Sequence, residues 1–181
     1  GSSSHVAEKP ASQRFHNVTR KWLLPKSFSP KQVMFFRGDQ NPYPDLMVLS
    51  EAKSGGSKLR GFLNQGGNNF LQKDLGQWTN QMKGVILSFT AIDLNRDGAD
   101  DLVLVMQASG KVFTQILFNN KRGYFYAKDK VGSYPLRSGV NKVVSGDLDQ
   151  DGDGDLFYFG KRVLGTDGEP ARHQAHLFVN K

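Results

Sequence analysis

Short apolar runs separated by clusters of turn-forming residues make up most of the chain after residue 35. Residues 102–105 (LVLV), 115–118 (QILF) and 156–159 (LFYF) are examples, each rich in aliphatic, β-branched or aromatic side chains. Runs this short, bounded by Gly, Asn and Asp, are typical of β-strands rather than helices. The pattern therefore predicts an all-β fold.

The same features recur along the chain at a nearly constant interval. Three aspartates that open similar segments are equally spaced: Asp39, Asp93 and Asp147. Three phenylalanines that open a second set of segments are also equally spaced: Phe15, Phe70 and Phe125. An asparagine ends a third set, GFLN, ILFN and LFVN: Asn64, Asn119 and Asn180. The intervals predict three four-stranded repeats of about 54 residues each, within positions 14–181. Positions 1–13 are interpreted as a disordered tail or linker.

Two repeats contain an acidic loop of nine residues, 93–101 and 147–155. Oxygen-bearing side chains stand at positions one, three, five and nine, and Gly at position six can take the left-handed conformation that bends the chain. Calcium prefers six to eight hard oxygen ligands, so we predict one calcium ion in each loop. The predicted ligands in loop 93–101 are Asp93, Asn95, Asp97, the Ala99 carbonyl and Asp101. Those in loop 147–155 are Asp147, Asp149, Asp151, the Asp153 carbonyl and Asp155.

Two neighbouring patterns are not expected to be calcium sites. An EF-hand needs a bidentate Glu at position twelve and flanking helices, whereas position twelve here is Leu104 or Tyr158 between strand-like flanks. The loop of the first repeat, residues 39–45, is two residues shorter, contains two prolines and lacks the glycine. We expect no calcium in that loop.

The two acidic loops resemble a known family. GDLDQDGDGDL and AIDLNRDGADDL are similar to the calcium loops of FG-GAP/VCBS repeats, which occur in integrin α-chain propellers and bacterial surface proteins. ILFNNKRGYFYAKD and FLNQGGNNFLQKD resemble the strand pair that accompanies those loops. The resemblance covers residues 15–180 and is weakest in the first repeat. It implies three four-stranded, β-propeller-type blades, with calcium loops at blade hairpins and a role in adhesion or in binding proteins or glycans.

Net charge and composition limit the classes of partner that the chain is expected to bind. A formal net charge of +7 suits an anionic protein or glycan, but the basic residues are scattered singly and in pairs, unlike a nucleic-acid site. The chain has no cysteine, which excludes disulfides, and no apolar run near the ~18 residues of a membrane span. The opening GSSS is explained either by an expression scar or by the tether behind a lipid anchor.

These observations favour a binding module over an enzyme. The clustered carboxylates all belong to the calcium loops, and no nucleophile–base set or phosphate-binding loop is present in the sequence. Extracellular calcium modules bind their ion at about 10⁻⁴–10⁻³ M, so we predict a secreted, periplasmic or cell-surface adhesion module. The alternative is a non-catalytic, glycan-binding part of a secreted hydrolase. The tripeptide Arg37-Gly38-Asp39 is interpreted as coincidence, because Asp39 already opens a repeat loop.

The order of the repeated segments leaves the closure of the blades open. The repeated part of the chain begins with RFHNVT, residues 14–19, and ends with HLFVN, residues 176–180, although the corresponding segments follow each other directly in the internal repeats. Two alternatives remain at this point. The chain is a fragment of a longer propeller, or two chains form a homodimer in which each N-terminal strand completes the partner's last blade.

Overall fold

A computed structural model describes residues 29–52, 56–66, 69–73, 84–127, 133–160 and 175–180. All regular structure in these ranges is β-strand, which confirms the predicted all-β class. The strands are β1 (Pro30–Phe36), β2 (Asp45–Glu51), β3 (Ser57–Asn64), β4 (Phe70–Lys73), β5 (Val85–Ile92), β6 (Asp101–Ala108), β7 (Lys111–Asn119), β8 (Phe125–Tyr126), β9 (Ser133–Leu136), β10 (Val140–Gly146), β11 (Asp155–Gly160) and β12 (Ala175–Phe178). The predicted tail, residues 1–13, and the N-terminal strand segment lie outside the described residues.

The strands form three antiparallel sheets in chain order. The first has the order β1-β2-β3-β4, the second β5-β6-β7-β8, and the third β10-β11-β12 within the described residues. In the second sheet β9 also pairs with β7: β8 lies along the carboxyl end of β7 and β9 along its amino end. The outer position of this sheet is thus shared by two short strands, whereas the sequence predicted one.

The second sheet is packed between the other two, which explains the unbroken apolar run in β6. Strand side chains alternate between faces, and those at 102, 104 and 106 pack with Met47 and Leu49 of the first sheet. Val103 and Val105 belong to a second core with Val140 and Tyr158 of the third sheet. A strand that is covered on both faces has no solvent-facing side, so its sequence shows no alternation of apolar and polar residues.

Polar side chains join the first strands of the three sheets. The amide nitrogen Nε2 of Gln32 in β1 donates to the carbonyl oxygen of Phe89 in β5 at 2.6 Å, and Oε1 accepts from the Phe89 N–H at 3.2 Å. On the other side, Oγ1 of Thr90 lies 2.7 Å from Oγ of Ser145 in β10. The first strands β1, β5 and β10 therefore contact each other in succession, and the sheets follow one another face to face.

Candidate calcium loops

Each acidic loop connects the first and second strands of its sheet. Residues 93–100 lie between β5 and β6, residues 147–154 lie between β10 and β11, and the shorter loop of the first repeat lies between β1 and β2. Strands on both sides confirm that these loops are not EF-hands. The repeat positions of the sequence thus correspond to the same hairpin in all three sheets.

The glycines at position six have the conformation that the sequence predicted. Gly98 has a φ of 91° and Gly152 a φ of 89°, both in the left-handed region where a side chain is strained. Position four is also left-handed, with φ of 58° at Arg96 and 64° at Gln150. Nothing in the sequence indicated this second feature, because neither residue type favours that region.

Gly152→Ala is expected to destabilise the protein by about 1–2 kcal/mol, because an L side chain is strained at its φ of 89°. Urea denaturation measures the change. Gly146→Ala is the matched control, since Gly146 ends β10 just before the loop at no strained φ, and its added methyl would meet no atom within 4 Å. Equal effects of the two substitutions would contradict the assigned loop geometry.

Within each loop, backbone N–H groups donate hydrogen bonds to aspartate side chains of the same loop. In loop 93–101, Asp93 accepts from the N–H of Asp97 at 3.0 Å and from that of Gly98 at 2.7 Å. In loop 147–155, Asp147 accepts from the N–H of Gly152 at 3.1 Å, and Asp151 accepts from the N–H of Asp153 at 2.9 Å. The position-one carboxylate of each loop therefore accepts from the N–H of the position-six glycine, which bends the loop back on itself.

Loop 147–155 brings three carboxylates together. Asp147, Asp149 and Asp151 each place a carboxylate oxygen within 4.8 Å of the other two, and all three side chains are exposed. Partial desolvation, followed by the charge of Asp151, raises the pKa of Asp149. No other group of three acidic or histidine side chains comes this close in the described part of the chain. Such a triad could bind a metal ion.

The carboxylate of the last aspartate in each loop accepts two backbone hydrogen bonds, and it does so in all three sheets. Asp101 is fully buried and accepts from the N–H groups of Leu94 at 3.1 Å and Asn119 at 2.8 Å. The corresponding bonds of Asp155 go to Leu148 at 2.8 Å and Asn180 at 2.9 Å. Those of Asp45 in the first repeat go to Gly38 and Asn64, both at 2.7 Å. The position-nine carboxylate thus ties its loop to the chain at the repeated asparagine.

The repeat pattern indicates both partners of this contact but not the contact itself. The three asparagines were recognised as a repeated position, and the aspartates as loop ends. The signal was their joint recurrence in every repeat, including the first, where no calcium is expected. Asp101 and Asp155 remain predicted metal ligands, because an oxygen that accepts one hydrogen bond keeps a second lone pair.

Burial affects these carboxylates differently. It raises the pKa of Asp101 to about 6, against the opposing effect of its two N–H donors, and the charges of Asp97 and Asp93 add to the rise. The pKa of Asp155 is instead lowered, because the hydrogen bonds from Leu148 and Asn180 outweigh its desolvation. A cation beside Asp101 would favour the ionised form that burial disfavours.

Two ion pairs connect the hairpins of successive sheets. Asp100 accepts from Arg37 Nη2 at 3.0 Å and from the Arg37 backbone N–H at 2.7 Å, which joins the hairpins of the first and second sheets. Arg96 Nε pairs with the buried carboxylate of Asp153, which joins loop 93–101 to loop 147–155. Arg37 of the RGD tripeptide is thus engaged within the protein, in keeping with the interpretation of that tripeptide as coincidence.

Comparison with protein families agrees with the geometry of these hairpins. Residues 93–158 match the family model described as an FG-GAP-like repeat. This segment is an FG-GAP-like repeat. It contains both glycine bends and the whole of β6 and β7, and the resemblance predicted from the loop sequences is confirmed there.

The match covers residues 93–158, and what it suggests is general. Such repeats suggest a β-propeller-like module, commonly used for binding or adhesion, and they often bind calcium. No curated protein matches the chain. Among the described residues, no helix is long and apolar enough to cross a membrane.

Proposed function

We propose that the protein is a calcium-stabilised binding or adhesion module that works outside the cytoplasm. The observation that carries the proposal is the triad Asp147, Asp149 and Asp151, which lies in a hairpin loop of an FG-GAP-like repeat. Extracellular calcium modules bind at about 10⁻⁴–10⁻³ M, and sites this weak are filled only where calcium is abundant. Periplasm, cell surface and medium are such places.

In this proposal two calcium ions order the loops and take no part in chemistry. Loop 147–155 supplies the triad together with Asp155 and the Asp153 carbonyl. Close pairs of carboxylates repel by about 1 kcal/mol or more, and an ion among them removes that repulsion. Because Arg37 and Arg96 link each hairpin to the next, ordering one loop also fixes its neighbour. Calcium would thereby make the surface rigid at the end of the sheets where these hairpin loops lie.

Exposed tyrosines at the same end suit the binding of an anionic glycan or an acidic protein segment. Tyr43 lies in the β1–β2 loop with 47% of its surface exposed, and Tyr124 precedes β8 with 43% exposed. The Nζ atom of Lys73 donates to the Tyr124 hydroxyl at 3.0 Å and lies 4.5 Å from the ring centre. Aromatic faces beside cations combine stacking with attraction to negative charge.

Binding assays with calcium and with a chelator test the proposal. A glycan array and a pull-down from native cell envelopes would each be run with the wild type and with Tyr124→Ser. Tyr126→Ser is the control, an exposed tyrosine two positions away. Calcium-dependent glycan binding that is lost in Tyr124→Ser would favour a glycan-binding part of a secreted hydrolase. Capture of a protein would favour adhesion, and binding of neither class would contradict the proposal.

The loop 147–155 is expected to bind calcium at least about fivefold more tightly than the loop 93–101, because one further carboxylate near the ion is worth about 1 kcal/mol even in water. Calcium titration of Asp97→Ala and Asp151→Ala, each of which removes one ligand side chain from one loop and leaves the other loop intact, measures the two affinities separately. Equal or reversed affinities would show that geometry outweighs charge.

A further inference from the structure

The bases of the two acidic loops are held together by direct contacts between the second and third sheets. Oγ1 of Thr90 in β5 lies 2.7 Å from Oγ of Ser145 in β10, two residues before the second loop begins. Ile92, the last residue of β5, packs on Gly154, where an added methyl group would lie 2.6 Å from Ile92 Cγ1. The start of the first loop therefore touches the end of the second.

One side chain also crosses between the loops themselves. Arg96, at position four of loop 93–101, pairs through Nε with the carboxylate of Asp153, at position seven of loop 147–155. The Arg96 side chain is 65% exposed, whereas that of Asp153 is only 8% exposed. Within the described ranges, Arg96 is the only cation paired with Asp153. A carboxylate buried to this degree is costly without a partner, so the pair is expected to form in solution.

The backbone around Arg96 belongs to the first predicted calcium site. Asn95 and Asp97 flank it at positions three and five, both as predicted ligands, and Arg96 itself has a left-handed φ of 58°. An ion held by those two side chains would fix the backbone from which the arginine extends. A long, exposed side chain loses much rotamer entropy when it pairs, and part of that cost is removed when its backbone is already ordered.

Asp153 is connected to the second predicted site through its own backbone. Its N–H donates to Oδ1 of Asp151, a member of the carboxylate triad, at 2.9 Å. Its carbonyl is the predicted ligand at position seven of the loop. An ion pair that fixes the Asp153 side chain therefore also restricts two backbone groups on which the second site depends.

We propose that Arg96 is a positioning residue that couples the two calcium loops, so that an ion in either loop raises the affinity of the other loop for calcium. This inference rests on the proposed function and concerns how its two sites act on each other. Such coupling is reciprocal, because each ion must change the affinity of the other site by the same factor. We expect a factor of about five, the lower end of typical couplings. Both loops would then fill over a narrower range of calcium concentration than two independent loops.

The charge of Arg96 by itself predicts a different result. A guanidinium beside an anionic loop repels calcium, so its removal would strengthen binding at loop 147–155 whether or not loop 93–101 is occupied. Repulsion between two bound ions would make each site weaken the other. An increase in affinity that requires both the second ion and Arg96 is therefore specific to positioning.

Calorimetric titration of the chelator-treated chain with calcium measures the coupling. The affinity of loop 93–101 is obtained in Asp151→Ala, where the other loop is disabled, and as the second binding step of the wild type. We expect the wild-type step to be about fivefold tighter. In the Arg96→Gln background the same two measurements are expected to agree. Asp153→Asn breaks the pair from the other side while keeping the carbonyl ligand, and it is expected to have the same effect.

Arg37→Gln is the matched control. Arg37 is likewise a mostly exposed arginine, 61% at its side chain, and it pairs with Asp100 of loop 93–101. Its own hairpin has no predicted calcium site, so the fivefold difference should persist in this variant. The proposal is overturned if the two wild-type steps match the affinities of the single-loop variants, or if the difference survives in Arg96→Gln and in Asp153→Asn. Either result would leave two calcium sites in place, whereas no calcium binding by folded wild type would overturn the proposed function and this inference with it.

Discussion

Asp101→Ala is expected to lower the free energy of unfolding by roughly 2–6 kcal/mol in calcium-free protein, because one buried and one partly buried N–H group each lose an acceptor worth about 1–3 kcal/mol. The donors are the backbone groups of Leu94 and Asn119, and the Asp101 side chain has no exposed surface. The reason is structural and does not involve a metal. Urea denaturation in the presence of a chelator measures the effect.

Two further variants separate this role from metal binding. Asp45→Ala removes the same pair of hydrogen bonds in the first repeat and is expected to cost as much, although no calcium is predicted in its loop. Asp97→Ala, whose carboxylate accepts from Ala99 at 3.0 Å within a solvent-accessible loop, is expected to cost less without calcium. A loss of stability in Asp101→Ala that appears only when calcium is present would refute the structural role.

Calcium is expected to stabilise the folded protein by about 2.7 kcal/mol at a hundredfold excess over the dissociation constant, which for a chain of this size raises the melting temperature by about 5–10 °C. The physical reason is that the ion binds the folded loops and not the unfolded chain. Thermal unfolding followed by circular dichroism, with millimolar calcium and with chelator, measures the shift. Asp151→Ala is expected to remove most of it, because Asp151 belongs to the carboxylate triad.

Asp39→Ala is the matched control for the calcium effect. Asp39 opens the shorter loop of the first repeat and accepts from the N–H of Asn41 at 3.0 Å, and it is not a predicted ligand. Its variant should keep the full calcium shift. A melting temperature that is the same in calcium and in chelator would exclude structural calcium, and an equal shift with magnesium would show a general response to divalent charge.

Much of this architecture follows from short-range patterns. The spacing of Asp39, Asp93 and Asp147 predicted three equivalent hairpins, and each of these loops does connect the first two strands of its sheet. The glycines at position six were expected in the left-handed region because no other residue adopts it so easily, and both adopt it. A repeat fixes local structure in this way because every copy must satisfy the same turn.

The contacts that the sequence did not reveal are those between residues far apart in the chain. The hydrogen bond from the Asn119 N–H to Asp101 forms because β7 ends beside the loop that precedes β6. No local sequence pattern specifies that arrangement. The pair of Arg37 and Asp100 depends on how two sheets pack, and its residues occupy different positions in their repeats. Such contacts depend on the packing of complete sheets, and composition or spacing alone does not encode them.

Binding of calcium to the two loops is tested most directly by isothermal titration calorimetry of chelator-treated protein. We expect two calcium ions per chain in the wild type, one in Asp97→Ala, one in Asp151→Ala, and none in the variant that carries both substitutions. Circular dichroism of each variant would verify that the sheets remain folded. Absence of calcium binding by folded wild-type protein, or binding by the double variant equal to that of the wild type, would contradict it.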